Sequence, residues 1–522
     1  MTATGTAVIK DSYLDSLLLM VATVTMTAAP GATWAGAVMA SPKGLGDLAT
    51  AGFSGGGLDG LGANDLVLAV KAEDDDAVQG ALQAGRDAAF SEQAPTGSAA
   101  EQPPTSIAEA HRRSPDTNVA IVSVPGEYAA LEAHHALSEG MHVLLFSDGV
   151  PLEEEVELKQ RAAELGLLVM GPGAGTAVLG GTGLGFANAL GERTDSAVGV
   201  VAAAGTGAQE VAALLDRWGV SVSQVVGVGG RDLSEAVGGL MAQLSVRALD
   251  ADPGTSAVLL VSKPPDPGAA RLVLAECRRT PAVAVFLGLD DFEPPDGVRL
   301  ARTLEDGARA AAELAGGTVP DLIDGLREKV AAVRLDQART TVRGLFSGGT
   351  LCYEAQAILE QHLGPVWSNQ PLRKQYTTPA PDGAHVLLDL GAEEYTRGVP
   401  HPMIEVSTRL ELLRQQADDP AVAVVLMDVV LGYGSHPDPA GELAPVCAEL
   451  MADGGPQVIA YVLGTERDPQ IYSRQRETLE AVGCLVPETN ARAAHAAAAI
   501  VLRRPELAEV GAGAGVGSGV PA

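Results

Sequence analysis

Val200-Val201-Ala202-Ala203-Ala204-Gly205-Thr206-Gly207-Ala208-Gln209-Glu210 opens an apolar run that reaches Trp218. Leu345-Phe346-Ser347-Gly348-Gly349-Thr350-Leu351-Cys352-Tyr353-Glu354 opens a second run that reaches Leu363. Each phrase reads as a buried strand, a turn of small residues and the first turn of a helix, with Glu four residues after the Thr of Gly-Thr. Such a turn leaves the helix N–H groups and the positive end of the helix dipole open to an anion. One copy is an ordinary strand–helix connection of a parallel sheet. Two copies in one chain can face each other across a single phosphate or carboxylate, so Gly205, Thr206, Gly207, Ser347, Gly348, Gly349 and Thr350 are the candidate anion-binding residues.

Outward from these turns, strand-like and helix-like stretches alternate, the pattern of parallel α/β sheets. Around the first turn, Val198–Ala203 is followed by Val222–Val228, Ser256–Ser262 and Ala282–Leu287, a unit over 195–320. Around the second, Val342–Phe346 is followed by His385–Leu390, Ala421–Val430 and Val458–Leu463, a unit over 340–505. The late strands correspond too, closing on Phe286-Leu287-Gly288 in one and Val462-Leu463-Gly464 in the other. An internally duplicated flavodoxin-like unit is the simplest reading. Upstream, strands at Asn118–Val124, His142–Phe146 and Leu167–Met170 belong to a Rossmann-like N-terminal domain over 1–194. A Pro-, Ser- and Ala-rich stretch near 91–117 reads as a linker inside it. The tail 506–522, Gly/Ala-rich from Gly511, is expected to be disordered.

At 522 residues the chain has room for three domains, and with 3% aromatic residues their cores must be built from Ala, Val and Leu. A net charge of −31 argues against nucleic acid and against an anionic membrane surface as partners. The four cysteines form no CxxC and no metal-like spacing with His, which suits a reduced, cytoplasmic protein without a metal site. Cys352, at a helix start, is either an activated thiol or a small buried residue. Leu17–Pro30 is too short to span a bilayer and follows acidic residues, so it reads as a buried helix.

Other residues carry possible chemistry. His401, in a Pro-His-Pro turn, is either an acid–base group or a turn residue. Arg467 and Asp468 follow a strand, where they bind substrate or shape the loop. Asp428 sits in an apolar strand and must be paired, orienting a turn or holding a substrate amide. Arg231 and Asp232 follow Gly229-Gly230 at a strand end. His134 and His135 are neighbours on a helix and point apart, so they make no metal pair.

Several phrases resemble a known family. Asn118-Val-Ala-Ile-Val-Ser-Val-Pro-Gly126, Leu168-Val-Met-Gly-Pro172, Gly205-Thr206 and Val228-Gly229-Gly230-Arg231-Asp232 are similar to the α subunit of succinyl-CoA synthetase. The third unit resembles the C-terminal domain of the β subunit. Pro125-Gly-Glu-Tyr-Ala-Ala130, Ser262-Lys263-Pro264-Pro265, Phe346-Ser-Gly-Gly-Thr350, His401-Pro402-Met403-Ile404 and Gly464-Thr-Glu-Arg-Asp-Pro-Gln470 resemble the FdrA family more closely. The resemblance implies an α/β fold: a Rossmann-like N-terminal domain of the CoA-binding type, then two flavodoxin-like domains of the succinyl-CoA-synthetase type.

The departures are equally informative. The synthetases carry phosphate on a histidine after the strand equivalent to Ala282–Leu287, but here the stretch reads Gly288-Leu-Asp-Asp-Phe-Glu-Pro-Pro-Asp-Gly297. No ATP-grasp domain fits into the chain, and the glycine-patterned CoA turn is missing near the N-terminus. Where the family places an acidic partner for its histidine, this sequence has Lys263, which suits direct anion binding. Gly173 and Ala174 replace the Asp-Cys common in FdrA relatives. The FdrA resemblance implies a subunit of a multi-component oxamate carbamoyltransferase in purine (allantoin) catabolism. That reading makes Lys263, His401 and Arg467 the catalytic candidates, and Arg231, Asp232, Asp428 and Asp468 substrate-binding candidates. Phosphate or carbamoyl phosphate is the expected substrate, with no required cofactor. Other subunits of the complex are the expected partners, in an oligomer. The alternatives are a subunit of an ADP-forming acyl-CoA synthetase, which would use CoA, and a non-catalytic scaffold or CoA-metabolite sensor.

Overall fold

The computed structural model describes residues 3–14, 16–53, 55, 57–58, 60–90, 103–289, 291–320, 325–397 and 399–509. The chain folds into two compact units, 1–104 with 391–405, and 105–390 with 406–522.

In the first unit, strands Ala3–Ile9, Leu66–Ala72 and Ala32–Met39 form an antiparallel sheet with Leu66–Ala72 in the centre. That central strand is buried on both faces. Leu66, Leu68 and Val70 point toward helices Ser16–Thr27 and Asp75–Phe90, while Val67 and Ala69 meet Leu48 and Phe53. The two helices approach so closely that a Cβ on Gly85 would collide with Met26. The apolar stretch at 17–30 is therefore a helix with one buried face, as Leu19, Ala22 and Met26 are covered while Val24 is 60% exposed.

This corrects the expectation for the N-terminal region. A Rossmann-like arrangement over 1–194 requires parallel strands, and those of the first hundred residues pair antiparallel. Periodicity marks a strand but not the direction in which it pairs, so the antiparallel order is set by connections that the sequence pattern does not show. Only the later part has the expected parallel sheet, in the order Val119–Val122, His142–Leu145, Val169–Met170. Residues 91–102 of the expected linker lie outside the described residues. The following stretch is a helix, Ile107–Arg113, capped by Ser106 Oγ on the Glu109 N–H at 3.2 Å. The tail beyond 509 also lies outside the described residues, whereas Pro505–Glu509 is a short 3-10 helix.

The second unit also holds the two duplicated cores. In the first, parallel strands run Val298–Ala301, Ala282–Phe286, Thr255–Ser262, Ala197–Ala203, Ser221–Gly227, and a hairpin, Thr176–Leu179 with Thr182–Gly185, adds antiparallel at the edge. In chain order the parallel part is 2-1-3-4-5, the flavodoxin-like order. The second core is wholly parallel, with neighbours Val366–Trp367, His385–Asp389, Thr341–Phe346, Val422–Val430 and Gln457–Leu463. Every residue of Ala197–Ala203 and of Val422–Val430 is buried, as helices on both faces of a parallel sheet demand. Among the described residues no helix is long and apolar enough to cross a membrane.

Candidate functional site

Helix Gly205–Arg217 leaves strand Ala197–Ala203 through Ala204, and helix Gly349–Leu363 leaves Thr341–Phe346 through Gly348. Neither N-cap residue, Ala204 nor Gly348, caps its own first turn with a side chain. The two turns meet. The Thr350 N–H donates to Thr206 Oγ1 at 3.2 Å, and a Cβ on Gly207 would lie 3.0 Å from Thr350 Cγ2. Small residues are thus required here because one helix start rests on the other.

The second turn is partly occupied from within. Asp428, fully buried in strand Val422–Val430, accepts from Ser347 N–H at 2.7 Å, Ser347 Oγ at 2.9 Å and Gly348 N–H at 2.6 Å. Arg409, 2% exposed, balances its charge at 3.2 Å. Asp428 is therefore an orienting group of the turn, spent on protein partners. Of the second-turn N–H groups, those of Ser347, Gly348 and Thr350 are engaged, and Gly349 keeps the outward position. In the first turn Gly205 is exposed while Thr206 and Gly207 are buried.

Two side chains flank Gly349. A Cβ there would collide with Asp389 Oδ2 and come 3.3 Å from Lys263 Nζ. Lys263 follows strand Thr255–Ser262 at its C-terminal end and is half-buried, with its ammonium 5.7 Å from the centre of the Tyr353 ring. Among the described residues it makes no hydrogen bond or ion pair. Asp389 closes strand His385–Asp389 and is 5% exposed. Sequence reasoning missed it, although a lone acidic residue ending an apolar strand at the ligand-facing edge was a readable signal. Cys352 is the small buried residue of the two options, since burial raises its thiol pKa well above the ordinary value.

The Glu of each repeated phrase lies one helical turn below its Thr, on the same face. Glu354 accepts from the Leu304 N–H at 2.7 Å and from Asn490 Nδ2 at 2.7 Å. Glu210 accepts from the Tyr461 hydroxyl on strand Gln457–Leu463, and the Asn490 backbone nearby lowers its pKa slightly. Leu304 and Asn490 each begin a helix capped by a Thr, Thr303 and Thr489. Glu354 thus reaches a helix N-terminus of the first core, and Glu210 reaches Tyr461 of the second, so each glutamate bonds across the two cores. Burial pushes the Glu210 carboxyl up to about 8 and that of Glu354 up to about 7, and Glu354 itself contributes to the rise at Glu210.

The remaining candidates lie elsewhere. Asp232 is fully buried, pairing with Lys159 Nζ at 2.9 Å and accepting from Ala242 N–H at 2.9 Å. Arg231 pairs with Glu155 at 2.7 Å in the same network, which ties helix Leu152–Leu165 to the turn after Ser221–Gly227. Asp468 accepts from Asn188 Nδ2 at 2.8 Å, Ala189 N–H at 2.7 Å and Thr465 N–H at 2.7 Å, and burial raises its pKa. Arg467 pairs with Asp216 at 2.8 Å, joining the two cores. His401 belongs to the unit of residues 1–104, where its Nδ1 accepts from Met403 N–H at 3.2 Å. Among the described residues no cluster of His, Cys, Asp and Glu could hold a metal ion.

The chain is 36% identical to the uncharacterized protein YahF of Escherichia coli K12 over 92% of its own length and 95% of that protein's. It belongs to the YahF family. Two domain families are recognisable in this YahF-family chain. Residues 345–500 match the CoA-ligase family, and residues 1–104 match the AllF, heavy metal-associated domain. The succinate–CoA ligase α subunit of Methanothermobacter thermautotrophicus is 26% identical over 42% of the chain and 75% of that subunit. The kinship with succinyl-CoA synthetases expected from the sequence is thereby shown. Among solved structures, a dinucleotide-forming acetyl-coenzyme A synthetase of Ca. Korarchaeum cryptofilum matches 75% of the chain and 84% of its own at 16% identity, with a TM-score of 0.27.

The family that residues 1–104 match is named for heavy metals. Soft metal ions are held by thiolates, thioethers and imidazoles; residues 1–104 contain neither Cys nor His, and Met26 and Met39 are packed in the apolar core. The loop after the first strand is instead closed by Asp65, which accepts from Lys10 Nζ and Asp11 N–H at 2.9 Å each. These residues do not fit a heavy-metal ion.

Proposed function

We propose that the chain is the FdrA-type subunit of a multi-component carbamoyltransferase, of the kind that converts oxalurate and phosphate into oxamate and carbamoyl phosphate. The observation that carries this reading is the meeting of two helix starts at Thr206 and Thr350, with Lys263 Nζ beside Gly349 and no histidine in the Gly288–Gly297 loop.

In this reading a phosphate lies against the Gly205–Thr206 and Gly349 helix starts and Lys263. One phosphate oxygen attacks the ureido carbonyl carbon of oxalurate. The carbonyl–nitrogen bond breaks, and the proton of hydrogen phosphate passes to the departing amide nitrogen, so oxamate and carbamoyl phosphate result. Donors fixed at the helix starts stabilise the charge that gathers on the transferred group. Asp389, on the same side of Gly349 as Lys263, supplies an acceptor for the carbamoyl N–H groups. In this reading Arg467 and Asp468 act as positioning residues, their contacts being with protein groups of the two cores. No cofactor is needed, and the remaining subunits would bring the acceptor site. A cytoplasmic role in purine catabolism follows from the substrates.

The second reading, a subunit of an ADP-forming acyl-CoA synthetase, is favoured by the CoA-ligase match over 345–500. In it CoA is bound and a partner supplies the nucleotide domain and the histidine. Phosphorolysis of oxalurate by the complete set of subunits separates the two. Carbamoyl phosphate formation that requires this chain and Lys263 supports the first. No carbamoyl phosphate, with acyl-CoA made from ATP instead, supports the second.

A further inference from the structure

A cavity of about 280 Å³ lies far from the strand ends that carry the cradle. Its walls come from the C-terminal ends of helices Leu326–Ala332 and Asn490–Leu502 and from the segment leading into strand Thr341–Phe346. Val330, Leu335, Ile500 and Pro505 line it with apolar surface, and Arg334, Arg339 and Arg503 line it with charge. That volume lies near the lower end of the range of small-molecule pockets, about 300–1,000 Å³.

The three guanidinium groups are anchored only on backbone carbonyls. Arg334 donates to Ala331 O at 2.6 Å and Val333 O at 3.0 Å, Arg339 to Val422 O at 2.7 Å and Gly454 O at 3.0 Å, and Arg503 to Asp336 O at 2.9 Å. Among the described residues none of the three has a carboxylate partner, in a chain of net charge −31 where acidic partners are plentiful. The nearby carboxylate of Glu506 is paired with Arg504 at 2.8 Å. An Arg has five N–H donors, so each keeps donors for an oxyanion.

Backbone conformation gives an independent sign. Arg503 ends its helix at φ 57°, ψ 39°, the left-handed position where glycine is favoured. A long cationic side chain held at that site is a local cost that a glycine would avoid. At this helix end Ala499 O and Ile500 O accept from Arg504 N–H and Arg503 N–H, so the backbone itself caps these two carbonyls.

We propose that this cavity binds a small metabolite bearing a phosphate or carboxylate on a short apolar body, as an effector distinct from the substrate. Its position supports the effector role. Ligands transformed by parallel α/β sheets bind at the C-terminal strand ends, whereas Arg339 bonds carbonyls at the start of Val422–Val430 and in the turn before Gln457–Leu463. Helix Asn490–Leu502 connects the two regions, since its other end carries Asn490 against Glu210 and Glu354.

The test is calorimetric titration of the full chain with phenyl phosphate, in the wild type and in Arg503→Gly, Arg334→Gln and Lys263→Gln. Arg503→Gly relaxes the backbone, so it is expected to fold. Arg334→Gln provides a second measurement on an exposed side chain. The expected result is saturable binding that weakens roughly tenfold or more in each Arg variant and persists in Lys263→Gln. Inorganic phosphate binding should show the opposite dependence if the cradle reading also holds. Absence of phenyl phosphate binding, or binding lost in Lys263→Gln and unchanged in the Arg variants, would overturn the proposal without touching the cradle.

Discussion

Replacing Glu210 by glutamine should stabilise the protein at neutral pH and have almost no effect in mild acid. Glu210 is 1% exposed, and its carboxyl is pushed from an ordinary 4.5 up to about 8 by burial, against the relief from Tyr461 and Arg217. The unfolded chain therefore releases this proton from about pH 4.5 upward, while the folded chain keeps it to about pH 8. The sign follows directly. Folding stability from this group is whole below the unfolded value and is lost progressively as pH rises through the interval, then levels off above the folded value. At about 1.4 kcal/mol per pH unit, the loss at pH 7 is about 3 kcal/mol, and at pH 5 it is below about 1 kcal/mol.

Glutamine has the shape of the neutral acid and cannot ionise in the unfolded chain. Glu210→Gln should thus gain up to about 3 kcal/mol at pH 7, which for cores of this size is roughly 6–12 °C in melting temperature. At pH 5 the gain should nearly vanish. The assay is scanning calorimetry of wild type and variant at both pH values, comparing the difference between the two proteins so that other titrating groups cancel. A Glu210→Gln protein that melts below wild type by the same amount at both pH values would refute the reasoning, because the carboxyl would then act through its ionised form or its shape alone.

Lys263→Gln should leave the melting temperature within about 1 °C, because the lysine has no ion-pair partner among the described residues, yet lower phosphate-dependent turnover about a hundredfold, as loss of a charge-stabilising donor does. Gly349→Ala should lower both activity and stability, the latter by about 1–3 kcal/mol, because its Cβ would collide with Asp389; activity assays and melting curves report it. Lys159→Met should destabilise by about 3–5 kcal/mol in denaturant titration, since it leaves Glu155 and Asp232 buried without their shared cation. Arg467→Ala should cost below about 1 kcal/mol by the same measurement, because the pair with Asp216 is 56% exposed on the arginine side.

What could be read from the sequence followed periodicity. Long apolar strands such as Val422–Val430 and Gln457–Leu463 lie within one residue of where the sequence placed them, because burial on both faces leaves an uninterrupted apolar run. The edge strands Val366–Trp367 and Val298–Ala301 and the hairpin at 176–185 are two to four residues long per strand, too short to carry such a run. The N-terminal unit was misjudged for a different reason. Strand orientation depends on connection geometry, which an apolar run such as Leu66–Ala72 does not announce. At the site, the sequence identified Thr206, Thr350 and Lys263, yet no spacing rule could show that Asp428 turns back to occupy the Ser347 and Gly348 N–H groups from 80 residues or more away.

The repeated phrase has two jobs, and the second explains why it is repeated as a whole. Gly-Thr sets the helix start against its counterpart, and Glu, one turn deeper, bonds to a group of the opposite core. A cradle of two helix starts is only as good as their spacing, and that spacing is held by Glu210 and Glu354, not by the ligand. Neutral carboxyls are needed for this, since two ionised glutamates inside the pair would repel each other and would oppose any anion bound one turn above. With folded values of about 8 and about 7, they remain largely or partly protonated up to neutral pH. The positive dipole end of helix Gly205–Arg217 then faces the turn without a counter-charge from this pair, whereas that of Gly349–Leu363 is already met in part by Asp428.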